Sequence, residues 1–299
     1  MRILNTEILR CPDCEGSLRS VDAETKCCSC SRSFERENGI AVLLPIGLSP
    51  HKEQQQLFFD EESEWAFEVS RPHGTPPIYR RIIEEKLERS VSAIAGELPE
   101  ASVLCVCAGS GMDAEALAHR GARVIVTDLS VEAVARAVER GLRFGCDFEA
   151  LVCDVEHLPF RDRSVDFVYV HDGLHHLEDP LVGLSEMVRV ARRGIAVTEP
   201  ADALSTRVAV RLGVAQAVET AGNPVARIRR KEFEQFLISR GLTIREADQY
   251  LMYYRHRPGR IESILSCPGL LQVSDGIFRL ANVVFGGVGN KITIQATYG

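Results

Sequence analysis

Three groups of residues in this chain have the types and spacing for chemistry. Cys11-Pro-Asp-Cys14 is followed, after twelve intervening residues, by Cys27-Cys-Ser-Cys30. Each C-x-x-C pair bends a tight turn around two sulfurs, so the two pairs together supply the four thiolates of a tetrahedral metal site. Cys27 rather than Cys28 is the expected third ligand, because only Cys27 leaves two residues before Cys30. Four thiolate positions leave no open coordination site, so a zinc ion bound by Cys11, Cys14, Cys27 and Cys30 would be structural. Redox thiols and disulfides are the competing uses of the pattern. The second group is Gly109-Ser-Gly111 with Asp128 and Asp154. The glycines let backbone approach a ligand at a helix N-terminus, and each carboxylate can accept hydrogen bonds from hydroxyls or an amine. The blander readings are a turn glycine, a helix-cap acid at 128 and a solvated turn acid at 154. The third group is His171, His175 and His176, whose imidazoles can accept a proton near neutrality or simply bond their own loop.

These residues need elements that carry them to one place. The apolar run from Val103 reads as a buried strand ending at the glycine turn, and a helix follows from Met112 to Gly121. A strand from Arg123 to Thr127 closes on Asp128, nineteen residues after Gly109, where a Rossmann acid takes ribose hydroxyls. Ser130 caps the next helix, with Val131, Val134 and Val138 on one face and Gly141 at its end. Strands Ala150–Cys153 and Val165–Val170 stop at Asp154 and at His171-Asp172, Asp179-Pro180 opens a helix running through Arg192, and Ile195–Thr198 is a fifth strand. Side chains at the C-terminal ends of parallel strands face the ligand crevice, which puts both acids and His171 there.

Gly109-Ser-Gly111 with Ala114 also satisfies the dehydrogenase form G-x-G-x-x-A, but the chain holds no Tyr-x-x-x-Lys proton-relay pair. Leu158-Pro-Phe-Arg-Asp-Arg-Ser-Val-Asp166 followed by Gly173-Leu-His-His-Leu-Glu-Asp-Pro180 resembles the class I S-adenosylmethionine (SAM)-dependent methyltransferases, in the branch of ubiquinone and menaquinone methylases. The resemblance spans roughly residues 75 to 200. It implies an α/β, Rossmann-like, mostly parallel seven-stranded sheet with helices on both faces. It also implies that Cys107, Ala108, Gly109 and Gly111 meet the methionine part of SAM, that Asp128 binds the ribose and Asp154 the adenine amino group. Leu129 and Val155 would pack beside the adenine, and His171 would sit near the sulfonium and the acceptor. His171 is then the first candidate base, His175 the second, and His176 a structural residue. The family has an acid where Cys105 stands and a glycine where Cys107 stands. The N-terminal cysteine region resembles the zinc ribbons that precede some bacterial methyltransferases, with Gly39–Pro45 as its last strand.

At 299 residues and 45% apolar content the chain is long enough for more than one unit. Three are expected: a ribbon over residues 1–50, a linker and lid over 51–77 broken by Pro72, Pro76 and Pro77, and the methyltransferase-like body over 78–299. A helical insertion at about 201–230, with Leu204, Val208, Leu212 and Ala215 at helical spacing, would cover the acceptor, and strands Leu242–Ala247 and Lys291–Thr297 would pair antiparallel at the edge. Ile78–Leu98 should be a helix that brings Tyr79 and Arg80 near the site. Ten cysteines scattered through ribbon and body do not form a secreted disulfide framework, which suits a reducing cytoplasm. No stretch approaches the roughly 20 apolar residues of a membrane span. The formal charge is −7, and residues 1–50 carry six Lys and Arg against seven Asp and Glu. That balance disfavours nucleic acid, which demands a basic surface. The expected partner is a small-molecule methyl acceptor. Ribosomal RNA methylation and a non-catalytic SAM-binding or scaffold role are the alternatives.

Overall fold

Residues 5–21, 24–61, 64–203, 207, 211 and 228–299 are described in the computed structural model. Strands β1 (Leu18–Val21), β2 (Glu24–Cys27) and β3 (Ser33–Phe34) make a small antiparallel sheet, with Leu18 opposite Cys27 and Thr25 opposite Phe34. β4 (Arg36–Glu37) and β5 (Ile40–Leu43) leave it and join the main sheet. The main sheet also contains β6 (Ser102–Val106), β7 (Arg123–Asp128), β8 (Glu149–Cys153), β9 (Val165–His171), β10 (Ala191–Pro200), β11 (Thr243–Tyr250) and β12 (Lys291–Thr297). Its order is β11-β12-β10-β9-β6-β7-β8-β5-β4.

The seven strands from β6 to β12 are those the sequence implies; β11 and β12 pair antiparallel as expected, and β12 also pairs antiparallel with β10. β4 and β5 make nine. β8 would otherwise be an open edge with unpaired amides, a liability that proteins cover. The apolar run Ile40-Ala-Val-Leu43 covers it: Ala41, Val42 and Leu43 pair in parallel with Leu151, Val152 and Cys153. The ribbon therefore shares its core with the body. Leu9, Cys11, Leu18 and Phe34 belong to one buried cluster with Leu43, Leu151 and Phe160, each such large side chain stabilising the fold by about 1.5–3 kcal/mol relative to exposure.

Residues 51–77, expected as a linker without regular elements, hold two helices, α1 (Pro50–Asp60) and α2 (Trp65–Ser70). Ser49 caps α1 by accepting from the Lys52 amide, and Pro50 takes a first-turn position where no amide is needed. The polar residues that conceal α1 from a periodicity reading are the ones it directs at the body. Gln56 Nε2 donates to the Leu129 carbonyl (3.3 Å), and Asp60 Oδ1 accepts from Ser130 Oγ (2.6 Å). Three further helices matter to the site: α3 (Pro77–Val91), α4 (Met112–His119) and α5 (Val131–Phe144). α3 ends earlier than the expected Leu98, and α5 runs past Gly141 to a left-handed cap at Gly145. Leu204, Val208, Leu212 and Ala215 lie outside the described residues.

Candidate active site

β6 lies between β7 and β9, so the chain winds away from it in both directions and leaves a crevice beyond the strand ends. A cleft of about 930 Å³ occupies that place. Cys107, Ala108 and Gly109 line it at the end of β6, Asp128 and Leu129 at the end of β7, and Asp154 and Val155 at the end of β8. Gly111 turns the chain into α4 with φ 75°, and a Cβ there would meet the Ala137 Cβ at 2.9 Å, so this glycine lets α4 and α5 close together.

Asp128 accepts from the Gly109 amide (2.9 Å) through one oxygen and the Ser130 amide (3.1 Å) through the other. Burial outweighs these bonds and leaves its carboxyl above the usual carboxylate range, so a hydroxyl donor reaching it from a ligand would be welcome. Asp154 is 2% exposed and accepts from the Glu156 amide (3.0 Å). Its other oxygen receives Lys52 Nζ at 2.6 Å, and the same ammonium pairs with Glu156. Burial works against that ammonium, yet the two carboxylates raise its pKa overall. Lys52 thus covers Asp154 from α1. Nothing in the motif around Asp154 reveals this partner; the Ser49-Pro50 helix start is the one sequence signal that could have found it.

His171 and His175 both line the cleft but are prepared differently. His171 ends β9 with Nε2 3.3 Å from Asp172 Oδ2 and Nδ1 3.8 Å from Asp113 Oδ2. Neither ring nitrogen makes a hydrogen bond among the described residues, and burial, then the Lys86 ammonium, lower its pKa below the ordinary histidine value. Burial would raise the Asp172 carboxyl, but the paired Lys291 ammonium holds it well below the carboxylate range. His175 Nδ1 lies 2.7 Å from Glu199 Oε2. Glu199 is fully buried and also accepts from the Gly173 (3.0 Å) and Leu174 (2.7 Å) amides, which fixes the loop. His176 packs edge-on against Phe59 of α1. Tyr79 is buried, its hydroxyl donating to the His256 carbonyl, and Arg80 is exposed beside a separate groove.

The two departures sit at the C-terminal end of β6, before the glycine turn. Cys107 has φ 50°, the left-handed backbone that favours the family's glycine. Its side chain fits because Gly173 faces it without one: a Cβ at 173 would lie 2.4 Å from the Cys107 Cβ. Cys105 is buried and offers no carboxylate.

The four ribbon thiols also converge. Cys14 and Cys27 sulfurs are 3.5 Å apart, Cys11 and Cys30 sulfurs 3.8 Å, and all four lie within 4.8 Å of one another with Cys28 outside the group. A tetrahedron with metal–sulfur bonds of about 2.3 Å has edges of about 3.8 Å. The Ser29 and Cys30 amides donate to Cys27 Sγ at 3.3 and 3.4 Å. Against the cost of burial, these bonds bring its pKa down to about 6. The donor set and spacing fit zinc.

Residues 104–197 match the methyltransferase domain family. This stretch is the part of the chain that is similar to the class I SAM-dependent methyltransferase domain. This domain is 36% identical over 106 residues to a demethylmenaquinone methyltransferase of Clavibacter sepedonicus, covering 36% of this chain and 41% of that protein. The chain thus spans less than half the length of that relative. The fold is shared with the magnesium protoporphyrin IX methyltransferase of Synechocystis PCC 6803, solved with bound S-adenosylhomocysteine (SAH), at 16% identity over 83% of this chain and 100% of that one, TM-score 0.58. It is shared too with the [4+2]-cyclase SpnF at 15% identity over 84% of this chain and 97% of that one, TM-score 0.55. Two differently named chemistries on one fold mean that the methyltransferase domain must be read from its site.

Proposed function

We propose that the protein transfers the methyl group of SAM to a small-molecule acceptor. The observation carrying this reading is that Asp128, Asp154 and the glycine turn open together into one cleft. Asp128 accepts from the ribose hydroxyls and Asp154 from the adenine amine, with Leu129 and Val155 flanking the base. Cys107, Ala108, Gly109 and Gly111 receive the methionine chain. When bound, SAM supplies a sulfonium methyl that a nucleophile displaces in line, releasing SAH. The residues around it align the reactants and exclude water, a task for which α1 lies across the cleft with Phe59.

The acceptor side is lined by Met252, Tyr253 and Tyr254, with Asn290 and Lys291 as polar groups. That suits an acceptor with a planar apolar body and an oxygen substituent. His171, neutral at physiological pH, takes the hydroxyl proton, and the imidazolium formed is steadied by Asp172 at 3.3 Å and Asp113 at 3.8 Å. His175 stands second, as the residue that holds the loop through Glu199. Cys11, Cys14, Cys27 and Cys30 would hold a structural zinc, which takes no part in the transfer. Work in the cytoplasm suits the free thiols.

Calorimetric titration of the full chain with SAM, SAH and NAD tests the reading. Micromolar binding of SAM and SAH, lost in Asp128→Asn, with no binding of NAD, supports it. Indifference to SAM and SAH at millimolar concentration overturns it.

A further inference from the structure

The absence of an acid at position 105 raises a question of charge. The methionine head of SAM is a zwitterion, and its ammonium needs acceptors that Cys105, 2% exposed and with a thiol pushed well up by burial, does not offer. Four charged side chains from other elements surround the same turn. Glu68 of α2 takes the Ser110 hydroxyl at 2.9 Å, which ties it to the glycine turn itself. Arg71 Nε, just past α2, lies 3.0 Å from Glu68 Oε1. Lys86 of α3 lies 3.0 Å from Asp113 Oδ1 in the first turn of α4. All four line the cleft.

These charges are expensive where they stand. Glu68 is 6% exposed and Lys86 2%, and burying an ion pair seldom stabilises a fold by itself. Moreover Glu68 Oε1, Arg71 Nε and Asp113 Oδ1 are buried without a hydrogen bond among the described residues, although each touches its ionic partner. Both acids stay charged: burial opposes ionisation, but His256, Arg71 and Ser110 hold Glu68 at about 2, and Lys86 and His171 keep Asp113 below its usual value. Two anions and two cations, three of them with a buried atom outside any hydrogen bond among the described residues, match an α-ammonium and an α-carboxylate.

We propose that Glu68, Arg71, Lys86 and Asp113 form a receptor for the amino-acid head of the methyl donor, replacing the strand-end acid that Cys105 has displaced. The inference rests on the SAM reading and deepens it. Glu68 and Asp113 take the ammonium, Arg71 and Lys86 the carboxylate, and a donor or product stripped of its amino-acid head is rejected.

The test titrates the full chain with SAH and with 5′-methylthioadenosine, which keeps the nucleoside and lacks the head. Wild type should bind SAH at least about 30-fold tighter. Loss of one charge-assisted contact in Glu68→Gln or Asp113→Asn should weaken SAH about 10- to 100-fold and leave 5′-methylthioadenosine unchanged. Cys105→Asp in the Glu68→Gln background should recover SAH affinity. An unchanged preference in both variants overturns the receptor while leaving the SAM reading intact; a wild type that binds neither compound overturns the SAM reading instead. Should Glu68→Gln fail to fold, as followed by circular dichroism, Arg71→Gln serves, and an unaltered preference there overturns the receptor equally.

Discussion

Replacing Gly173 by alanine should expose how the chain accommodates a cysteine in a glycine position. The added Cβ would lie 2.4 Å from the Cys107 Cβ and 3.0 Å from both Cys107 Sγ and Val170 Cγ2. The first contact is with a side-chain root that cannot swing away, so the backbone of one strand end must shift. Gly173 itself has φ −122°, which alanine tolerates, so the cost is steric. Overpacking of this kind costs about 1–3 kcal/mol, and with the contact at its worst Gly173→Ala belongs near the upper end. Cys107→Gly alone relieves a left-handed φ of 50°, a gain of about 1 kcal/mol set against the lost packing of a small side chain. In the double variant two of the three close contacts vanish, so the penalty at 173 should fall below about 1 kcal/mol and the coupling reach about 2 kcal/mol. Urea denaturation of the four proteins, followed by circular dichroism, measures this cycle. Additivity within about 0.5 kcal/mol would show that the two residues do not share space and would refute the reasoning.

Three further outcomes follow from the geometry. Chelation of the ribbon metal, or Cys27→Ser, should lower the melting temperature of the whole chain, because Cys11 and Cys27 lie in the same core cluster as Leu151; Cys28→Ser should leave it unchanged, and equal effects of the two serines in thermal scans would contradict the assignment. His171 has a pKa below its unfolded value of about 6.5, so its base form is full at neutral pH and is lost as pH falls through the depressed pKa. The acid limb of kcat should therefore have its midpoint below about 6.5, and His171→Ala should abolish that limb and cost about 10²–10⁴ in rate on a hydroxyl acceptor; an unchanged pH profile in the variant removes His171 as base. Lys52→Met should leave Asp154 and Glu156 as adjacent buried carboxylates without their shared cation, so SAH affinity should drop about 10-fold, and an unchanged affinity in titration calorimetry would contradict this.

The parallel heart of the fold was legible because β6 to β10 are apolar runs each ending in a turn or an acid, and strand-end position alone put Asp128, Asp154 and His171 in one crevice. α1 was not legible, since its Lys52, Gln55 and Gln56 are polar where a core-facing helix would be apolar. They face a cleft, where polar groups have partners, so hydrophobic periodicity fails for a physical reason. The ninth-strand architecture failed to show for another. Ile40-Ala-Val-Leu43 reads as a strand, but which edge it joins depends on β8 lacking a neighbour, and this is a property of the assembled sheet.

Cys105 and Cys107 carry that lesson to the site itself. Read locally, both weaken a methyltransferase motif, one by deleting a charge and the other by filling a space. In three dimensions the space is returned by Gly173, at the far end of β9, and charge stands beside the same turn on Glu68 and Asp113. Neither compensation lies in the strand where the departure occurs. A motif score penalises the two cysteines independently, whereas the geometry makes 107 depend on 173 and 105 on 68 and 113. Reverting Cys107 to glycine should consequently leave SAH binding nearly unchanged, and adding Asp at 105 should matter chiefly when Glu68 or Asp113 is already lost. If Cys105→Asp strengthened SAH binding in the otherwise wild-type chain by as much as it does in Glu68→Gln, the two acids would be acting independently and the site would be a degraded one rather than a rearranged one.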